Sequence, residues 1–210
     1  MSISTYTELE STIADWLNRS DLTSVIPTFI SLSETNMERT LRTRQMLKRA
    51  TATIDTQYSA VPADFLEIRS IKITSATPIK PLTFQSIEVM DSLDSQSSNQ
   101  TGVPSNFTVV GNQIRVNPLP SGSFTAELAY YAKIDKLSDS VSSNWILSSH
   151  PDAYLYGALL QAAPYLKDDE RTNVWTTLYV SAIEAIRSSD ERAASSGGAL
   201  KVQTKAFGVM

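Results

Sequence analysis

The sequence predicts an α+β protein: a helical bundle from the N- and C-terminal helices, a small antiparallel β-domain inserted between them, and an extended C-terminal tail. Three observations predict this. Apolar residues recur at three- and four-residue steps in the first fifty residues and again after His150. Between these regions the apolar period falls to two, interrupted by turn residues. After Ser188 neither period continues. The expected parts are 1–50 for the N-terminal helices of the bundle, 51–140 for the β-rich insert with a flexible loop at 94–105, 141–189 for the C-terminal helices, and 190–210 for the tail.

Tyr6, Leu9, Ile13, Trp16 and Leu17 fall on one helical face. Ser4 or Thr5 is the expected N-cap, and Glu8 stands at the capping-box offset from Thr5. Asn18 to Asp21 interrupts the pattern. A second helix carries Val25, Ile26, Phe29, Ile30, Met37 and Leu41. Pro27 is tolerated only near a helix start, which makes Ser24 the expected cap. This helix is expected to end in a basic stretch, Arg39, Arg42, Arg44, Lys48 and Arg49, where cations complement the dipole.

From about Thr51 the alternation begins with Ala52, Ile54 and Tyr58, and continues with Leu66, Ile68, Ile71 and Ile73. Val61-Pro62-Ala63-Asp64 reads as a turn, Ile79 to Phe84 as a short strand, and Gln85 to Leu93 as one or two helical turns. Asp94 to Ser105 is rich in turn formers and reads as a mobile loop. Asn106 to Pro120 is the clearest local signal. Two β-rich runs flank Gly111-Asn112, a two-residue hairpin turn that needs positive φ. Phe124 to Ile134 supplies another strand.

His150-Pro151-Asp152 reads as a helix start, with proline at the first helical position and an acid in the first turn. Leu155, Ala158, Leu159 and Ala162 share a face, and Pro164 ends or kinks the helix. Asp168 is expected to cap a further helix, with Asp169 and Glu170 in its first turn and Trp175, Leu178, Tyr179, Ala182, Ile183 and Ile186 as its apolar stripe. The tail passes Gly197-Gly198 and then alternates weakly. ALKVQTKAF either adds as a strand to another chain or stays without fixed structure.

Composition excludes several chemistries. The chain has 210 residues, no cysteine and one histidine, His150. Disulfides, thiol catalysis, iron–sulfur clusters and multi-histidine metal sites are therefore not expected, and no cofactor is called for. A net charge of −4 argues against wholesale coating of nucleic acid. The N-terminal stretch has no basic region followed by an apolar one, so no signal peptide is expected. No apolar run approaches the ~18 residues of a membrane span.

Catalytic readings find little support. A serine hydrolase would have to use His150, which stands at a helix start, and no G-x-S-x-G elbow accompanies it. Asp91 and Asp94 sit in or beside the flexible loop, and mobile carboxylates make poor acids or bases. Asp168, Asp169 and Glu170 read as charge complementing a helix N-terminus. Tyr154, Tyr156, Tyr165, Trp175 and Tyr179 suit helix–helix interfaces. The basic segment Arg39, Arg42, Arg44, Lys48 and Arg49 is a candidate interaction surface, and a DNA-binding or packaging accessory role through it is the alternative function. A third class, a cell-wall hydrolase carried in a virion, would depend on His150.

Several segments together resemble the head-to-tail adaptor, or connector, proteins of tailed bacteriophages. They are YTELESTIADWLNRSDLTSVIPTFISLSETNMERTLRTRQM, VPADFLEIRSI, GVPSNFTVVGNQIRVNPLP and WILSSHPDAYLYGALLQAAPYLKDDERTNVW. In the third, the spacing of Gly102, Pro104, Phe107, Gly111, Ile114, Pro118 and Pro120 is similar to the family's hairpin signature. The resemblance implies a structural virion protein with no catalytic motif. It implies a homo-oligomeric ring, usually of twelve subunits, in the neck between head and tail. Such a ring binds the portal protein and a tail nozzle or tail fibre protein. It extends the DNA channel, touches translocating DNA non-specifically, involves no membrane, and is made in the host cytoplasm. It also implies that a C-terminal extension reaches the portal, which makes Leu200, Val202, Phe207 and Met210 candidate docking residues.

Overall fold

The computed structural model describes residues 3–96, 100–166 and 171–194. Its elements begin with α1 (Tyr6–Leu17), α2 (Ile26–Thr40), a 3-10 turn at Arg44–Met46, β1 (Leu47–Ile54), β2 (Tyr58–Ala60) and β3 (Phe65–Ile73). Then come β4 (Lys80–Pro81), β5 (Thr83–Phe84), α3 (Ile87–Gln96), β6 (Thr101–Gly102), β7 (Asn106–Val110) and β8 (Gln113–Asn117). The last are β9 (Leu119–Pro120), β10 (Phe124–Ala132), α4 (Trp145–Ser149), α5 (Pro151–Leu166) and α6 (Thr172–Ala194). The protein is therefore mixed α+β. The chain divides into two compact units, Met1–Arg44 with Asp135–Met210, and Gln45–Ile134.

In the helical unit, α5 packs against α1, α2, α4 and α6. The expected capping box closes α1: Thr5 Oγ1 accepts from the Glu8 N–H, and the Glu8 carboxylate accepts from the Thr5 N–H. Tyr6, Leu9, Ile13 and Leu17 are buried as their spacing requires. Trp16 departs from this stripe and is 44% exposed, its ring edge-on to Tyr156 at 5.9 Å. Residue 25, not Ser24, is the N-cap of α2. The preceding turn explains the difference: the Leu22 carbonyl accepts from both the Val25 and Ile26 N–H groups, which occupies donors a side-chain cap would otherwise take.

α4 has no counterpart among the sequence-based expectations. Asn144 caps it, its side-chain oxygen accepting from the Ile146 and Leu147 N–H groups. Pro164 does not end α5, which runs on to Leu166; so near the terminus a proline costs only one late hydrogen bond. The expected cap at Asp168, with Asp169 and Glu170, lies outside the described residues. The α6 stripe is buried at Trp175, Tyr179, Ala182, Ile183 and Ile186, while Leu178 is 37% exposed. α6 also continues to Ala194, past the expected tail start at 190. Asp190 is held in place because its carboxylate accepts from the Arg44 N–H at 3.0 Å.

The second unit is built on two four-stranded sheets, ordered β1-β10-β3-β4 and β2-β8-β7-β5, with a two-stranded pair β6-β9. Most pairs are antiparallel, but β5–β7 and β6–β9 are short parallel pairs. The inner faces share one core that includes Ile54, Ile71, Ile73, Phe107, Ile114, Val116, Leu128 and Tyr130. The hairpin turn falls at Gly111-Asn112, with Gly111 at φ +58. A side chain there would be strained, and glycine removes that cost. The Pro62 carbonyl accepts from the Phe65 N–H, closing the expected turn before β3.

β3 contains a device the simple alternation does not reveal. Its pairing with β10 matches Ile73 to Ala126, Ile71 to Leu128, Ile68 to Tyr130 and Phe65 to Ala132, so the register slips twice. Unbroken alternation from Ile71 would instead turn Arg69 and Glu67 inward. The two bulges pass over Arg69 and Leu66 and bring Ile68 and Phe65 against the core. Leu66, expected to alternate with Ile68, is therefore not part of that core cluster.

Candidate functional site

The basic segment does not form one helical face. α2 ends at Thr40, and Leu41 is already extended at φ −95, ψ 138. Arg39 occupies the last turn of α2, Arg44 the 3-10 turn, and Lys48 and Arg49 lie on β1. Arg42 donates to the Glu38 and Leu41 carbonyls at 2.7 and 2.6 Å, covering the end of α2. Arg44 is engaged by Asp190, Lys48 pairs with Asp64 at 3.0 Å, and Arg49 faces Glu127 at 3.8 Å. The expectation of a basic helix is thus corrected: the positive charge is spread over a helix end, a 3-10 turn and a strand, and Arg44, Lys48 and Arg49 are met by carboxylates. Leu200, Val202, Phe207 and Met210 lie outside the described residues.

A cluster of charged side chains among the described residues falls at positions that sequence reasoning set aside. Arg115 on β8 donates to Asp91 at 2.6 Å and to Asp94 at 2.6 Å, both on α3. Asn117 and Gln57 also donate to Asp94, at 2.6 and 2.8 Å. Burial works against ionisation of Asp94, but the hydrogen bonds from Arg115, Asn117 and Gln57 outweigh it and hold its pKa below the usual carboxylate value. The carboxylates expected on a mobile loop are instead a fixed clamp between helix and sheet. The stretch 94–105 is correspondingly structured at both ends, by the last turn of α3 and by β6. The signal available in the sequence was the i,i+3 spacing of the two aspartates. Their partner is 21 residues away from the nearer one, and local pattern does not give it.

The helical unit holds a second polar node. Glu34 on α2 is 1% exposed, and its Oε1 accepts from the Leu137 N–H at 2.8 Å and from the Tyr154 hydroxyl at 3.1 Å. The Tyr154 hydroxyl in turn accepts from Asn144 Nδ2 at 2.6 Å. His150 is a helix junction: its N–H donates to the Ile146 carbonyl, and its carbonyl accepts from the Ala153 N–H. Among the described residues, no group of three or more His, Asp or Glu could hold a metal ion, and no helix is long and apolar enough to cross a membrane. These polar groups lock backbone elements together.

A family model for SU10 adaptor proteins matches the chain over residues 4–202, a span that takes in both compact units. The chain belongs to the SU10 adaptor protein family. This is a bacteriophage head-to-tail adaptor family, so the protein is a structural component of a virion. Comparison with curated proteins gives no match.

In this SU10 adaptor the Glu34 node sets a pH dependence. Burial pushes the Glu34 pKa up, and the bonds from Leu137 and Tyr154 only partly offset it. A carboxyl whose folded pKa is raised binds more protons folded than unfolded. Stability therefore falls as pH rises from about 4.3, the ordinary value, through the raised one. Glu34→Gln keeps an acceptor for Leu137 and has no charge to bury. Urea denaturation across that range is expected to show a declining limb for the wild-type adaptor and a flat one for Glu34→Gln. Identical limbs would show that Glu34 is not the group responsible.

Proposed function

We propose that this SU10 adaptor assembles as a ring, of twelve subunits on the family's pattern, between the portal and the tail. The helices act as a bundle with the β-rich unit inserted between its halves. The ring extends the channel through which DNA passes, binds the portal on one side and a tail nozzle or fibre protein on the other, and resides in the virion neck after synthesis in the host cytoplasm. The observation that carries this reading is the family match from residue 4 to residue 202, which spans every described element from α1 to α6. Two further features support it. The net charge of −4 suits a channel wall along which DNA slides without sticking. The two polar clamps, Arg115 with its aspartates and Glu34 with Tyr154, hold rigid shapes of the kind that repeated docking needs.

The role is tested in a phage whose copy of this gene carries an early stop codon. DNA-filled heads without tails, restored to tailed particles by the wild-type gene in trans, are the expected outcome. Normal numbers of tailed, infectious particles from the mutant would contradict it.

A further inference from the structure

The β-rich unit has a hole along one edge of its two large sheets and large exposed apolar side chains along the other. β1 and β2 form the first edge; among the described residues β1 pairs only with β10 and β2 only with β8. Between them opens a cavity of about 210 Å3 whose lining includes Ala50, Ala52, Ile54, Ser59, Ile114 and Leu128. The cause is in the sequence. Ala50 and Ala52 stand opposite Leu128 and Ala126 of the core, so they face the space between the sheets, where alanine is too short to close it. β4 and β5 form the opposite edge. There Phe84 on β5 is 60% exposed, and Ile87 at the start of α3 is 46% exposed. Phe84 stands in register with Phe107 of the core, their rings edge-on at 5.6 Å, so Phe84 lies on the inner face of its sheet at the margin. An apolar ring exposed on an edge strand is a liability unless something covers it.

We infer that Phe84 of one copy enters the cavity of the next, the β5 edge of the first meeting the β2 edge of the second. Three observations select this occupant. The level is right: Ser59 on β2 pairs with Ile114 of the core and so faces the same inner space as Phe84. A β5 edge set beside β2 of a neighbour therefore puts the phenyl group between the sheets, against Ala50 and Ala52. The size is right: a dry apolar cavity of about 150 Å3 takes a benzene molecule, and this one is larger. The placement is right: hole and knob lie on opposite edges of one unit, the head-to-tail pairing of two different surfaces that a closed ring needs. Strands of three and two residues offer few backbone hydrogen bonds, so the phenyl group carries the contact. The inference rests on the ring reading for the identity of the partner, and it leaves the C-terminal segment to the portal.

The chain has no cysteine, so a single introduced cysteine on each of two chains reports only contacts between copies. Chains carrying Ala52→Cys, which keep Phe84, are assembled in large excess with chains carrying Phe84→Cys or Thr83→Cys, with portal present where the wild type needs it. Thr83 precedes Phe84 on β5 and faces the other side of the sheet. Mixed disulfide dimers are expected with Phe84→Cys at tenfold or more over Thr83→Cys. No excess over that control would overturn the inference. So would Ala52→Cys chains that, assembled alone, link to one another as readily, because head-to-tail docking keeps the two Ala52 positions apart. Phe84 and Ala52 are both exposed. Phe84→Asp, which puts a charge on the knob, and Ala52→Trp, which fills the cavity from its own chain, are therefore each expected to keep the wild-type circular dichroism while lowering the assembled fraction tenfold. Assembly unchanged by either would also overturn it. Wild-type rings that form while the mixed disulfide does not refute the docking and leave the ring standing, whereas a wild-type chain that never assembles, even with portal, refutes both.

Discussion

Gly157→Ala is expected to destabilise the protein by about 2 kcal/mol, although alanine is the better helix former by about 1 kcal/mol. Gly157 lies on α5 where α2 and α6 approach it. A Cβ built there would overlap Ser33 Oγ, stand 3.3 Å from Ser33 Cβ and 3.0 Å from Tyr179 Cε2. Tyr179 belongs to the buried stripe of α6, and Ser33 is fully buried on α2, so neither neighbour can swing into solvent. Overpacking of a closed helix contact then costs more than the propensity gain returns. Among the described residues Ser33 Oγ has no hydrogen-bond partner, which makes Ser33→Ala harmless alone and a partial rescue in combination with Gly157→Ala. Urea midpoints of the two single variants and the double variant check this. A Gly157→Ala protein as stable as wild type would contradict the close approach.

Arg115→Met is expected to cost about 2–3 kcal/mol. Breaking a fully buried ion pair costs about 3–5 kcal/mol. The figure here is smaller because the Asp91 side chain is 61% exposed and the Asp94 side chain 31%, so water takes up part of the uncompensated charge. Arg115 itself is nearly enclosed, its side chain only 9% exposed, and Arg115→Lys loses the forked geometry that reaches both aspartates. The pH sign is opposite to that of Glu34. Asp94 has a lowered folded pKa, so its contribution is complete above about 3.9 and is lost as pH falls through the lowered value. Acid denaturation of Arg115→Met should lack the limb that wild type shows there. Equal stability of the two proteins at neutral pH would mean that the clamp between α3 and β8 carries no net energy.

Features set by near neighbours in the chain were legible in the sequence. The Thr5–Glu8 box, the Gly111-Asn112 turn and the Pro151 helix start each need only a few adjacent residues, and each is found. Features set by distant partners were not. The β3 bulges follow from pairing with β10, more than 50 residues on, and they reverse which of Ile68 and Arg69 faces inward. β1 begins at Leu47 because Lys48 and Arg49 sit on an edge strand, where charge faces solvent, and the same charges read locally as a helix end. Asp94 looked mobile because its neighbours are serines, yet Arg115, Asn117 and Gln57 fix it from across the unit. The backbone of the basic segment was misjudged, because helix periodicity cannot say where a helix stops without a glycine or proline to mark it.

The proposed ring requires this adaptor to assemble with copies of itself and on the portal. Native mass measurement of the purified 23.1 kDa chain, alone and mixed with portal protein, tests it most directly. The expected result is a closed complex whose mass is the portal assembly plus a fixed whole number of adaptor chains. A chain that stays monomeric at every concentration, and remains so with portal present, would contradict it.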